Sequence, residues 1–381
     1  MTELPEKLQK KLESRSVNNA LRQLGNQSKL IDFSSNDYLG FSRSQLLFYK
    51  THQYLIDKNL TENGATGSRL LSGNHELYKV VENLLCEFHN CEAALIFNSG
   101  YDANLGFFSC VPQRGDIILY DEFIHASIRD GLTMSNANSY KFKHNNLEDL
   151  KAKLSIRAKR KSSESDIYVV TESIFSMDGD SPDLITMSEI CKNNDAHFIV
   201  DEAHALGVFN NNGSGLIQKL NLENDVFARL VTFGKGLGCH SAAILGSKTL
   251  KQYLVNFARP FIYTTGLPPH SLATIKIAYG EMSNSSEIEK LHSNIQFFKS
   301  EVNKNQLKFI NSDSAIQCCI ISGNDTVKSI TQKLQDYGFD VKAIISPTVP
   351  LGKERLRFCL HSYNSEEEIT KVLKLLTTFV P

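Results

Sequence analysis

AHFIVDEAH (196–204) and RLVTFGKG (229–236) decide how this chain reads. Each is a short apolar run that stops abruptly at a polar group: Asp201 in the first, and in the second Lys235, set among Gly234, Gly236 and Gly238. Working outward, the same design recurs in AALIFNSG (93–100), DIILYDE (116–122), DIYVVTES (166–173) and SAAILGS (241–247), each followed by a polar or glycine turn and then a helix-like stretch. Runs that are apolar on both faces suit strands buried between helices, so the alternation predicts an α/β chain with a mostly parallel sheet. Ligands of such sheets bind beyond the carboxyl ends of the strands, which sends Ser99, Ser173, Asp201, His204 and Lys235 toward one crevice.

A lysine between glycines has several meanings. A phosphate-binding loop of the G-x-x-x-x-G-K-[ST] kind is excluded, because Gly236 follows Lys235 and the upstream glycine spacing is wrong. The G-x-G-x-G spacing also departs from the dinucleotide fingerprint. The remaining option is an amine that forms a Schiff base with an aldehyde cofactor, small neighbours leaving room for a flat ring. Pyridoxal phosphate needs a carboxylate beside its ring nitrogen, and Asp201 lies one strand-helix-strand unit before Lys235. His204, three residues on, is placed to hydrogen-bond the phenolic oxygen. The turn Ser99-Gly100-Tyr101 opens a helix, and the amides of a helix start suit the phosphate.

The bulk of the sequence agrees with a small-molecule enzyme. With 41 Lys and Arg against 42 Asp and Glu in 381 residues, no overall charge points to nucleic acid or a membrane surface as partner. The charged start MTELPEKLQKKLESR has no apolar core of a secretory signal, and no apolar run reaches membrane-spanning length, so the expected location is cytoplasmic. Eight scattered cysteines without a C-x-x-C pair read as reduced core residues, and no metal is expected. The charge run KAKLSIRAKRKSSESD (151–166) reads as a solvated helix end and loop, while His144, His240 and His270 receive no role. The expected organisation is an N-terminal arm (1–45), a large domain (46–275) and a small α+β domain (276–381), the last with a helix at 287–303, strands at 315–322, 339–345 and 355–361, and helices at 325–337 and 365–378.

DEAHALGVFNNNGSG (201–215) and VTFGKGLG (231–238) resemble the aspartate and lysine segments of the α-oxoamine synthases, pyridoxal 5'-phosphate enzymes of the fold-type I aminotransferase class. The resemblance continues in order through IDFSSNDYLGFS (31–42), GATGSRLLSGNHELY (64–78), IFNSGYDANLG (96–106), DEFIHASIRDG (121–131), ESIFSMDGD (172–180), ARPFIYTTGLPPHSLA (258–273) and SPTVPLGKERLRFCL (346–360). It implies a fold-type I aminotransferase-like architecture: a large domain with a mostly parallel seven-stranded sheet and a small α+β C-terminal domain, in a homodimer. It also implies residue roles. Lys235 would hold the cofactor and move the Cα proton, Asp201 would pair the ring nitrogen, and His125 would stack on the ring. Ser176 and His204 would approach the phenolic oxygen. Ser99, Gly100, Tyr101 and Thr232 would surround the phosphate, with Thr264 or Thr265 from a second subunit. Arg357 and Asn36 would meet the amino acid, and Arg22 the far carboxylate of an acyl chain. TFGKG, SNDYLG and FARPFIYTTGLPP are similar to the branch that condenses L-alanine with a pimeloyl thioester, on coenzyme A or an acyl-carrier protein, in biotin biosynthesis; the alternative within the family uses glycine or serine with another acyl-coenzyme A. Cys239 and Ser241 depart from that branch, which often has valine and glycine there.

Overall fold

The computed structural model describes residues 4–22, 24, 29–158 and 165–380, so the part of the charge run at 159–164 lies outside the described residues. In chain order its strands are β1 (Ile31–Asp32), β2 (Ala93–Phe97), β3 (Ile117–Asp121), β4 (Asn138–Phe142), β5 (Ile167–Glu172) and β6 (His197–Asp201). They continue with β7 (Ala228–Thr232), β8 (Ala242–Gly246), β9 (Ile316–Ile320), β10 (Phe339–Asp340), β11 (Lys342–Ile344) and β12 (Arg355–Cys359).

Two compact units emerge. The larger comprises Asn36–Ser176 and Asp180–His292. Its seven strands run in the order β2-β8-β7-β6-β5-β3-β4, and only β8 is antiparallel to its neighbours, so the mostly parallel sheet expected from the sequence is what forms. Every residue of β2, β5 and β7 is buried, which is why these runs carry no polar alternation. The edge strand β4, NSYKF, instead exposes polar side chains that discourage further strand pairing. Leu95, Ile118, Val170, Ile199, Leu230 and Ile244 meet Phe107, Phe108, Ile128 and Leu254 from covering helices in one continuous core.

The smaller unit holds the described residues up to Ser35, Met177–Gly179 and those from Ser293 on. It contains the antiparallel sheet β11-β12-β9 and the parallel pair β1-β10. Its last helix, Glu366–Phe379, starts with a reciprocal capping box between Ser365 and Glu368 and buries Ile369, Val372, Leu373 and Leu376, one face of a 3.6-residue period.

These limits correct the expected ones of 45 and 275. Residues 36–45 belong to the large unit: Tyr38 and Leu39 are buried, and a Cβ on Gly238, whose φ is 59°, would stand 2.1 Å from the amide nitrogen of Ser42. Position 275 is the middle of an unbroken helix, Pro269–Asn284, whose face Leu272, Ala273, Ile275, Ala278, Tyr279 and Met282 is buried. Of the residues before Ser35, Ile31 and Asp32 pair with Phe339 and Asp340 inside the smaller unit.

Candidate active site

The carboxyl ends of the parallel strands carry the polar residues. After β2, Asn98 and Ser99 lead into the helix Gly100–Cys110, and Ser99 caps it by accepting from the amide of Asp102 at 3.0 Å. A Cβ on Gly100 would lie 2.6 Å from Cγ2 of Thr232, so only glycine lets this helix start sit against the end of β7. The first-turn amides of a helix lack intrahelical acceptors, and they make the Ser99-Gly100-Tyr101 turn suited to an anion. Tyr101 is itself exposed and donates its hydroxyl proton to Asp130. Thr232 donates to the carbonyl of Ala203 at 3.3 Å. Asn98 donates to the hydroxyl of Thr264 at 3.0 Å and to the carbonyl of Thr265 at 2.8 Å, which places both threonines beside this turn in the same chain.

Asp201 ends β6 almost fully buried, in register with Glu172 of β5. One of its oxygens accepts from the amide of Ala203 at 2.9 Å, the other from the side-chain amide of Asn104 at 2.8 Å. The second N–H of Asn104 reaches the hydroxyl of Ser127 at 3.0 Å, and that hydroxyl lies 2.8 Å from Nδ1 of His125. Because the amide of Ser127 also donates to Nδ1, that nitrogen is the acceptor and Nε2 carries the proton of the neutral ring. Burial and the charge of Lys235 lower the pKa of His125 against the pull of Asp201, so the ring stays neutral near pH 7. Its backbone N–H is held by Glu172 at 2.5 Å. Burial, together with the charge of Asp201, pushes the carboxyl of Glu172 well above its ordinary range.

Lys235 anchors a second chain of bonds. Its Nζ lies 2.8 Å from Nε2 of His204, whose Nδ1 lies 2.6 Å from the hydroxyl of Tyr38, which in turn donates to Asn36 at 3.2 Å. With Nε2 accepting from the amine, Nδ1 holds the ring proton and every group in the series has a donor and an acceptor. Asp201 ends β6 in register with Leu230 of β7, the strand that leads into Lys235, so the two series of bonds meet at the same end of the sheet, where the charges of both residues act on His125.

The structure thus brings together Ser99, Gly100, His125, Asp201, His204, Thr232, Thr264 and Lys235, with Asn36 at the end of the lysine chain. Ser176 is half-buried in a turn of the loop after β5. Arg357, central in β12 and buried, and Arg22, exposed, belong to the smaller unit. Four participants carry no sequence assignment: Tyr38, Asn104, Ser127 and Glu172. Asn104 shares the helix face of Gly100, one turn on, which is the signal that could have found it. The departures also have a structural meaning. Ser241 adopts φ 88°, a conformation natural to glycine, and buries a hydroxyl that has no hydrogen-bond partner among the described residues. Cys239 donates to the carbonyl of Leu237 at 3.1 Å, and burial pushes its thiol up to about 12.

Among known proteins, the family model described as aminotransferase class I and II matches residues 28–376. An 8-amino-7-oxononanoate synthase of Emericella nidulans is 38% identical, over 93% of this chain and 90% of that protein. A solved serine palmitoyltransferase of Sphingomonas wittichii superposes with a TM-score of 0.90 at 27% identity, covering 100% of both chains. An 8-amino-7-oxononanoate synthase of Francisella tularensis superposes with a TM-score of 0.77 at 28% identity, over 92% of this chain and 98% of that one.

Proposed function

Because the chain belongs to the α-oxoamine synthases within the class I and II aminotransferase family, we propose that it joins L-alanine to a pimeloyl thioester, releasing carbon dioxide and the thiol, as an 8-amino-7-oxononanoate synthase in biotin biosynthesis. The observation that carries this reading is the convergence of Lys235, Asp201 and His125 at the carboxyl ends of the strands. The same residues fit pyridoxal 5'-phosphate: an amine for its aldehyde, a carboxylate for its ring nitrogen, an imidazole beside the ring, and a helix start stripped to glycine for its phosphate.

When bound, that cofactor supplies a sink for the electron pair left when a proton leaves Cα of an amino acid. The chain supplies the rest. Lys235 is the base for the Cα proton, and its neighbour His204 accepts a proton at Nε2 when the amine must be neutral, while Tyr38 holds the other edge of the ring. Asp201, oriented by Ala203 and Asn104, keeps a negative charge where the ring nitrogen must stay protonated. Arg357 takes the carboxylate of alanine with its planar fork and Arg22 the far carboxylate of the pimeloyl group, both on the strength of their positions in ERLRF and NNALRQL. Thr264 and Thr265, held by Asn98 beside the phosphate turn of their own chain, help to line it, and the assembly is a cytoplasmic homodimer, whose dimeric state light scattering of the purified protein checks.

The test is the visible spectrum of the protein loaded with cofactor, titrated with L-alanine and then pimeloyl-coenzyme A. A band that shifts with alanine, followed by thiol release with the pimeloyl thioester, is the expected result. A response to glycine or L-serine alone moves the protein to another branch of the family. Lys235→Ala abolishes turnover, and substantial multiple turnover by that variant would overturn the assignment.

A further inference from the structure

The helix Glu76–His89 ends on Asn90 in the left-handed conformation (φ 49°, ψ 59°), and the amides of Asn90 and Cys91 both return to the carbonyl of Cys86, the second at 3.1 Å. A six-to-one closure of this kind turns the side chain three places before the helix cap back toward the one two places after it, where two apolar groups ordinarily meet. Here both positions are cysteines, so the closure turns the side chains of Cys86 and Cys91 toward each other, and the thiol of Cys91 donates to the carbonyl of Ala93 at 3.5 Å. The contact therefore follows from how the backbone ends this helix.

The surroundings distinguish the two sulfurs. The neighbouring thiol of Cys91 favours a thiolate on Cys86 most, and the backbone N–H of Ala94 favours it as well. Lys251 adds positive charge: its Nζ sits 2.6 Å from Glu82, one helical turn before Cys86. Burial, Glu82 and the carbonyl end of the helix all oppose a thiolate here. The donors prevail, and the thiol of Cys86 falls to about 7, whereas that of Cys91 is pushed up. Burial pushes Cys110 and Cys191 up to about 12 and Cys319 to about 11. Cys86 and Cys91 are both partly exposed, and neither takes part in the site described above.

We propose that Cys86 and Cys91 are a peroxide-sensitive modification site, at which Cys86 is oxidised first and Cys91 closes it into a reversible intrachain disulfide. The sulfur of Cys86 attacks one oxygen of hydrogen peroxide; the O–O bond breaks, and the departing hydroxide takes up a proton to become water. The sulfur of Cys91 then displaces hydroxide from the resulting sulfenic acid, and its proton completes a second water. Two thiols lose two electrons, and the peroxide gains them. A thiol reductant reverses the change.

The full-length protein is treated with hydrogen peroxide, alkylated and digested with trypsin without reduction. The peptide Val80–Arg114 carries Cys86, Cys91 and Cys110. The expected product has lost two hydrogens between Cys86 and Cys91 and is alkylated at Cys110, and prior reduction restores three alkylated thiols. In Cys91→Ser, oxidation stops at a sulfenic acid on Cys86 that a cyclic dione traps. Without peroxide, alkylation of wild-type Cys86 at pH 7 runs at least tenfold faster than that of Cys110 and rises through an inflection near 7. The wild-type measurements stand whether or not the serine variant folds. Full alkylation of Cys86 and Cys91 after peroxide, or a Cys86 that reacts no faster than Cys110, overturns the proposal.

Discussion

Asp201 and Glu202 follow one another at the end of β6, yet the chain satisfies their charges with different partners. Among the described residues, the hydrogen-bond donors to Asp201 are neutral: the amide of Ala203 and the side chain of Asn104. Glu202 is completely buried and accepts from the amides of Leu216 at 2.7 Å and Ile217 at 2.9 Å, with the buried guanidinium of Arg229 3.5 Å away. Arg229 in turn donates to the carbonyl of His89, a histidine that burial and this same arginine keep neutral. A carboxylate held by dipoles keeps its charge for a cationic ligand; one held by a cation has spent it inside the core.

Exchanging each carboxylate for its amide gives the largest effects and tests the contrast directly. Asp201→Asn lowers turnover by roughly 10²–10³-fold while the denaturation midpoint stays close to wild type. Glu202→Gln strands Arg229 as a buried charge and costs about 3–5 kcal/mol of stability, with turnover per folded molecule changed only a few-fold. The contrast breaks if Asp201→Asn unfolds the protein or Glu202→Gln selectively loses activity. Next in size, Asn104→Ala removes one donor from Asp201 and one from Ser127, so the dissociation constant for pyridoxal 5'-phosphate rises about tenfold, read by fluorescence titration. An unchanged constant would mean that Asp201 needs no help in holding its geometry.

A third carboxylate arrangement sharpens the same point by titrating. His144 lies between Asp121 at 2.9 Å and Asp180 at 2.8 Å; burial resists its protonation, but the two carboxylates prevail and raise it to about 9 from 6.5. A raised folded-state pKa stabilises where the ring is charged in both states, so its contribution is full below about 6.5 and is lost as pH climbs through about 9. Wild type should therefore exceed His144→Gln by roughly 2–3 kcal/mol at pH 6, and denaturant titrations at pH 6 and 9.5 should show the gap closing. The smallest effect concerns the strand that follows the lysine turn: Ser241→Gly relieves the φ of 88° and removes a hydroxyl without a partner among the described residues, raising stability by about 1 kcal/mol.

Much of the fold was readable because a strand buried on both faces has to be a continuous apolar run, and six such runs stand out between residues 93 and 247. β4, NSYKF, could not be found that way, since an edge strand looks like a loop in composition. The boundary at 275 failed because a helix packed within one unit has no local signal that distinguishes it from the start of another. In the site, Asp201 and Lys235 announced themselves by ending apolar runs in charge, whereas Glu172 looked like any strand-end carboxylate until the register set it opposite Asp201.

The sequence by itself determined the apolar runs that end in polar groups, the lysine among glycines and the family to which they belong, because those depend on residue type and local spacing. Only the tertiary structure decided that Tyr38 meets His204, that Asn104 divides its two N–H groups between Asp201 and Ser127, and that Glu202 spends its charge on Arg229. Hydrogen bonds act over about 3 Å, and which groups come that close across scores of intervening residues is settled by strand register and helix packing.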